Sequence, residues 1–158
     1  MTPVTLYLDN SVLGGYFDTE FEEATRKLWM LAEAGHYHFV ASVVTEREAS
    51  RAPERVYNLF LNTFTDPESI LGLSARGLAL AQSYVDHQVV SPKYIDDAQH
   101  VAAATTHGLG VIVSWNFRHL VNYQREAGFN RVNLEYGYPA VRIISPQELV
   151  YGDENQTL

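Results

Sequence analysis

The chain has 158 residues, a formal net charge of −8 and no cysteine, with 46% of its residues hydrophobic and 19% charged. Those values describe one globular domain, long enough to bury a core without covalent staples. They exclude disulfides, thiolate zinc sites and a cysteine nucleophile, and they fit a reducing cytoplasm. No apolar run approaches the roughly 20 residues of a membrane span. Val4–Leu8 is too short for a signal peptide and runs straight into Asp9, so a cytoplasmic protein without a membrane segment is expected. The acidic balance argues against binding nucleic acid by bulk electrostatics. It leaves room for a local basic rim or a bound metal cation.

Val4–Leu8 reads as a short strand buried on both faces, the parallel-sheet type. Asp9-Asn10-Ser11 ends it, and Gly14-Gly15 loosen the chain. The acidic stretch 18–23 suits a helix start, with Leu28, Leu31 and Ala32 at helical spacing and Gly35 as a stop. Tyr37–Ala41 predicts a second strand, Ser42 an N-cap for a helix to Arg51, and Pro53 the first turn of another. Ile70-Leu71 is a weak third strand. Ser74 caps a predicted helix over 75–87 with Leu78, Ala81 and Val85 on its packed face. An alanine-rich helix from Tyr94 or Ile95 to His107 ends at Gly108. Val111–Val113 and Val141–Ile144 read as buried strands, and Ser145-Pro146 opens a short last helix. One domain over 1–151 and a polar tail over 152–158 follow, with no repeat or linker. Alternating strands and helices imply βαβ crossovers, and sites in such sheets lie beyond the carboxyl ends of the strands.

The acids fall at those ends. Asp9 follows the first strand; it is either a helix cap or a site residue, and Asn10 or Ser11 could do the capping instead. Glu46 and Glu48 are separated by about 200° on a helix, so only one can face a pocket. Glu48, one turn after the core position Val44, is the better candidate. Arg47, Arg51 and Arg55 are either ion-pair partners of Glu48 and Glu54 or a basic rim. In the alanine-rich helix Asp96 is the natural N-cap, which leaves Asp97, on the face of His100, Val101 and Ala104, to be explained. Asn116 follows the fourth strand, as a water-holding amide or a turn former. In a parallel sheet all four positions converge at one end. Clustered carboxylates repel, and an oxygen-only ligand set selects Mg²⁺ or Mn²⁺. The chemistry implied is metal-assisted phosphodiester hydrolysis.

Of the six histidines, none forms a ligand pair at the site, so a zinc centre is not expected. His100 lies one turn from Asp97, within reach of a hydrogen bond, and His119 is a candidate substrate contact.

Four segments together carry a resemblance: LYLDNSVLGGYFD at 6–18, ASVVTEREASRAPERV at 41–56, SPKYIDDAQHVAAAT at 91–105 and VSWNFRHLVN at 113–122. In this order they resemble PIN-domain proteins, the fold of the VapC-type toxin ribonucleases. The resemblance implies a three-layer α/β/α sandwich with a central, mostly parallel sheet. It implies a Mg²⁺ or Mn²⁺ site and cleavage of single-stranded RNA. The family's first aspartate falls on Asp9, its helix glutamate on Glu48 and its third acid on Asp97; the fourth acidic position falls on Asn116, a departure. Asp9, Glu48 and Asp97 would hold the metal. Ser11, Asp96, His100 and His119 would contact substrate or the metal ligands. A homodimer is also implied, as is an antitoxin protein if the chain is the toxin of a toxin–antitoxin pair.

Two other readings compete. A catalytically degenerate or partner-activated PIN-fold binding module fits the acidic charge and Asn116. An aspartate-phosphorylating phosphatase wants a second Asp where Ser11 stands, and a receiver domain wants a late lysine, whereas Lys27 and Lys93 are the only two.

Overall fold

The computed structural model describes residues 2–156, and side chains over 2–152. Five short strands form one wholly parallel sheet in the order β3-β2-β1-β4-β5: β1 Val4–Leu8, β2 Tyr37–Ser42, β3 Ile70–Leu71, β4 Val111–Val113 and β5 Arg142–Ile144. Alternation along the strands sorts side chains to two covered faces. Leu6, Leu8 and Val113 point to one apolar cluster, Tyr7, Ile112 and Ile143 to the other.

The first cluster is closed by α1 (Asn10–Gly15), α2 (Glu22–Glu33) and α4 (Glu54–Thr63), through Val12, Leu13, Leu28, Trp29, Val56 and Phe60. The second is closed by α5 (Ala75–Asp86), α6 (Ile95–Thr106) and α7 (Tyr123–Glu135). The alanines of α6, fully buried at 98 and 102–104, let that helix lie close to its neighbours. Helix α3 (Val43–Ser50) follows β2 without a break, and α8 (Pro146–Gln156) packs on α2. This is the expected three-layer α/β/α sandwich. No helix among the described residues is long and apolar enough to cross a membrane.

Several local expectations are corrected. Helix α1 replaces the loosened Gly14-Gly15 segment, and α2 begins at Glu22 rather than 18. Helix α7 was not expected at all. In α5 the packed face carries Leu80, Ala81 and Tyr84, while Leu78 is 49% exposed. Pro53 is the N-cap of α4, just outside its first turn. The last helix, expected to be short, runs to Gln156 through the first residues of the polar tail; 157–158 lie outside the described residues.

Candidate active site

Strands β1 and β4 are neighbours although their order in the chain is first and fourth. The connections therefore leave in opposite directions there, the crevice where parallel sheets bind ligands. Asp9 ends β1 and Ser114 ends β4. Asp9 is 4% exposed and its carboxylate is fully engaged: Ser11 donates to Oδ1 at 2.6 Å, Ser114 to Oδ2 at 2.5 Å, and the Val12 amide to Oδ1 at 3.3 Å. Asp9 is thus itself the cap of α1, one of the two roles open to it, and the alternative of a cap by Asn10 or Ser11 is not taken. Capping and chemistry do not exclude each other, because an ionised carboxylate offers about four acceptor sites. Burial pushes the Asp9 carboxyl above its ordinary range, against the pull of His100 and the two serines.

Ser114 is the residue that sequence reasoning missed. Its hydroxyl donates to Asp9 and accepts from the Asn116 amide at 2.9 Å; Ser11 in turn accepts from the Trp115 amide at 2.8 Å. The signal was its place at the end of a buried strand.

Glu48 stands on α3, half-buried, whereas Glu46 is exposed. Glu48 meets Nε2 of the buried His100, whose Nδ1 lies 2.7 Å from the Tyr7 hydroxyl; that hydroxyl reaches Ser42 at 2.7 Å. Burial opposes charge on both partners, yet their contact wins. His100 is held well above its ordinary value by Tyr7, Glu48 and Asp9, and Glu48 is held below its own by His100 and Arg47. A buried carboxylate–imidazolium pair satisfies both shifts. The expected bond from His100 to Asp97 is therefore replaced by one to Glu48.

Asp97, half-buried in the first turn of α6, accepts no hydrogen bond from any described residue. Burial, then repulsion from Asp9, Glu48 and Asp96, outweighs His100 and pushes its carboxyl up to about 6. Asp96 is not the N-cap. The chain enters α6 from a 3₁₀ turn at Pro92–Tyr94, already helical, and no side chain caps it. Asp96 instead pairs with Arg47 at 2.9 Å, and Arg47 also reaches Gln99 at 3.0 Å. That pair ties α3 to α6, while the charge of Arg47 also helps keep Glu48 ionised on its own helix. Arg55 lies over the Phe17 ring.

Asn116 is half-buried, and its Oδ1 accepts from the His119 amide at 3.0 Å, the turn-forming role. His119 is buried, its ring 3.7 Å from that of Tyr94 at the head of α6. Burial, then Arg125 and Arg118, holds it below its ordinary value.

Asp9, Glu48 and Asp97 thus share one corner and sense each other's charge. As packed they are not a ready ligand set: among the described residues no group of three His, Cys, Asp or Glu side chains could hold an ion without rearrangement. The donor chemistry, all carboxylate oxygen around a buried Asp9, does fit a hard divalent cation.

No family model matches the sequence, and no curated protein matches it. Solved structures do. VapBC2 from Rickettsia felis, bound to a DNA fragment from its promoter, aligns over 90% of this chain and 98% of that one with a TM-score of 0.54 at 10% identity. The fold is PIN-like. FitAB bound to the IR36 DNA fragment aligns over 89% and 94%, TM-score 0.52, at 13% identity. FitAcB from Neisseria gonorrhoeae aligns over 89% and 97%, TM-score 0.52, at 15% identity. The PIN-like topology accounts for where the acids gather: β1, α3 after β2, and α6 before β4 all present the same end of the sheet.

Proposed function

We propose that the protein is a Mg²⁺- or Mn²⁺-dependent endoribonuclease that hydrolyses phosphodiester bonds of single-stranded RNA. The observation that carries this reading is the convergence of Asp9, Glu48 and Asp97 at the β1/β4 crevice of a PIN-like sheet. A divalent ion held by these acids would offset their repulsion and act as a Lewis acid on the phosphate. The chain's own residues prepare the place. Ser11 and Ser114 fix the Asp9 carboxylate from both sides. His100 keeps Glu48 ionised and inside the corner, where it would be one of the ion's ligands. Asp97 has no described hydrogen-bond donor to give up. Asp96, through Arg47, holds α3 and α6 together, and so sets the distance between Glu48 and Asp97.

The likeness to the VapBC2 and FitAB structures supports a toxin of a toxin–antitoxin pair with an antitoxin protein as partner; a homodimer as the assembled form is proposed on the sequence resemblance alone. A degenerate or partner-activated module is the second reading. It is favoured by Asn116, which stands at the fourth acidic position and spends its carbonyl oxygen on the His119 amide.

The test is cleavage of a single-stranded RNA in Mn²⁺ by wild type and Asp9→Asn. Asn keeps an acceptor for the α1 cap, so the fold should survive. Loss of cleavage with an unchanged melting curve is expected. Cleavage at the wild-type rate would remove Asp9 from the site.

A further inference from the structure

We propose that the loop over 115–122 is the strand-selecting element of this site, with Phe117 stacking on an unpaired base and Arg118 pairing with an adjoining phosphate. The inference rests on the nuclease reading above and adds the residues that recognise the strand.

The loop spans the crevice. At one end Ser114 and Trp115 are bonded to Asp9 and Ser11; at the other His119 packs on Tyr94, three residues before Asp97. The loop thus runs from the strand-end residue bonded to Asp9 to the segment that leads into α6 and Asp97. The loop is also held firmly. The Leu120 and Val121 amides donate to the Asn116 carbonyl at 3.1 and 2.8 Å, and the Asn122 side chain donates to the Phe117 and Arg118 carbonyls at 2.8 and 3.1 Å. A rigid loop that keeps a large apolar ring in water holds surface that burial would stabilise. Phe117 is 48% exposed. Its ring stands 6.0 Å from that of Trp115, which is itself anchored by Thr25 at 2.9 Å and stacked on Phe21.

Arg118 is exposed, and no described side chain pairs with its guanidinium. Lys93, 5.7 Å from the Tyr94 ring, adds a second cation at the far end of the loop. Although the chain's net charge is −8, an exposed aromatic ring followed in the chain by an exposed cation is complementary to the bases and phosphates of a polynucleotide rather than to an apolar peptide. A duplex hides its base faces, so this arrangement selects strands whose bases are splayed out.

The test measures binding without cleavage. A fluorescein-labelled RNA dodecamer, single-stranded or annealed to its complement, is titrated in EDTA at low salt and followed by anisotropy. Wild type should prefer the single strand. Phe117→Ala and Phe117→Leu should each weaken single-strand binding by about tenfold, the size of one lost base–aromatic stack, and Phe117→Trp should restore it. Arg118→Ala should weaken binding and lower the slope of log affinity against log salt by about 0.7. Leu134→Ala, at an apolar position 68% exposed near the far end of α7, should change nothing. Equal binding of single strand and duplex, or wild-type affinity in both Phe117→Leu and Arg118→Ala, overturns the proposal. So does an absence of RNA binding together with protection of Phe117 by a protein partner. The same dodecamer in Mn²⁺ separates the two readings: cleavage with Phe117-independent binding removes only the platform, and Phe117-dependent binding without cleavage removes only the nuclease.

Discussion

Glu46 and Glu48 differ in what surrounds them, and that difference has a measurable consequence. Glu46 is exposed, whereas Glu48 is half-buried against His100. Glu46→Gln should leave stability within about 0.5 kcal/mol and cleavage near wild type. Glu48→Gln should cost roughly 1–3 kcal/mol, the penalty of leaving the buried His100 without its charged partner, and abolish cleavage. Equal losses in the two variants, each corrected for its folded fraction, would contradict the assignment. Asp97 supplies a pH signature. With its carboxyl at about 6 in the fold, the native state keeps a proton that the unfolded chain releases near pH 4. Stability from this group therefore falls as pH rises through that window. In EDTA, wild type should lose urea stability relative to Asp97→Asn between about pH 4 and about pH 7. Parallel profiles would show that Asp97 is solvated like any surface acid. At this scale the sequence disclosed which acids come together better than what each bonds to. Strand ends and helix faces single out Asp9, Glu48 and Asp97. The partner choices, Ser114 for Asp9, His100 for Glu48 and Arg47 for Asp96, join residues 49 to 105 positions apart and have no local signal.

Among the elements, the two glycines of α1 should respond in opposite ways. A Cβ on Gly14 meets nothing within 4 Å, so Gly14→Ala should stabilise by about 0.5–1 kcal/mol through helix propensity alone. A Cβ on Gly15 would sit 2.6 Å from Trp115 Nε1 and 3.0 Å from Thr25 Oγ1. Gly15→Ala should therefore destabilise by roughly 1–3 kcal/mol and displace the Trp115–Asn116 turn. Paired thermal unfolding of the two variants checks the sign, and a stabilised Gly15→Ala would mean that Trp115 can move freely. The same elements show where local reading stops. Helix α1 is hidden because two adjacent glycines read as a break; packing against Trp115 explains the second of them, and nothing in the structure requires the first. Helix α7 is hidden because its buried residues, Phe129, Val132 and the amide of Asn133, make a weak apolar stripe. Asn133 is committed to Tyr84 and Thr105, a tertiary contact that no periodicity reports. The parallel pairing of β4 with β5 nonetheless requires a crossover there, and α7 supplies it.

For the whole molecule, strand order decides where the candidate site forms. Placing β1 between β2 and β4 brings together the ends of segments more than 100 residues apart, and with them Asp9 and Ser114. The alternation of strand and helix signals made the layered α/β architecture legible, and the four matched segments made its PIN-like form legible. The state of the site was not, because Glu48 and His100 lie 52 positions apart and their pairing depends on how α3 packs on α6. The central proposal is that Asp9, Glu48 and Asp97 together would hold a divalent ion on which RNA cleavage depends. Its most direct test is calorimetric titration of Mn²⁺ into wild type and Asp97→Asn, with RNA cleavage assayed on the same samples. The account predicts that wild type binds Mn²⁺ and cleaves, and that Asp97→Asn loses both. An absence of Mn²⁺ binding by wild type would contradict it, and would leave these acids as caps and ion-pair partners of a PIN-like scaffold.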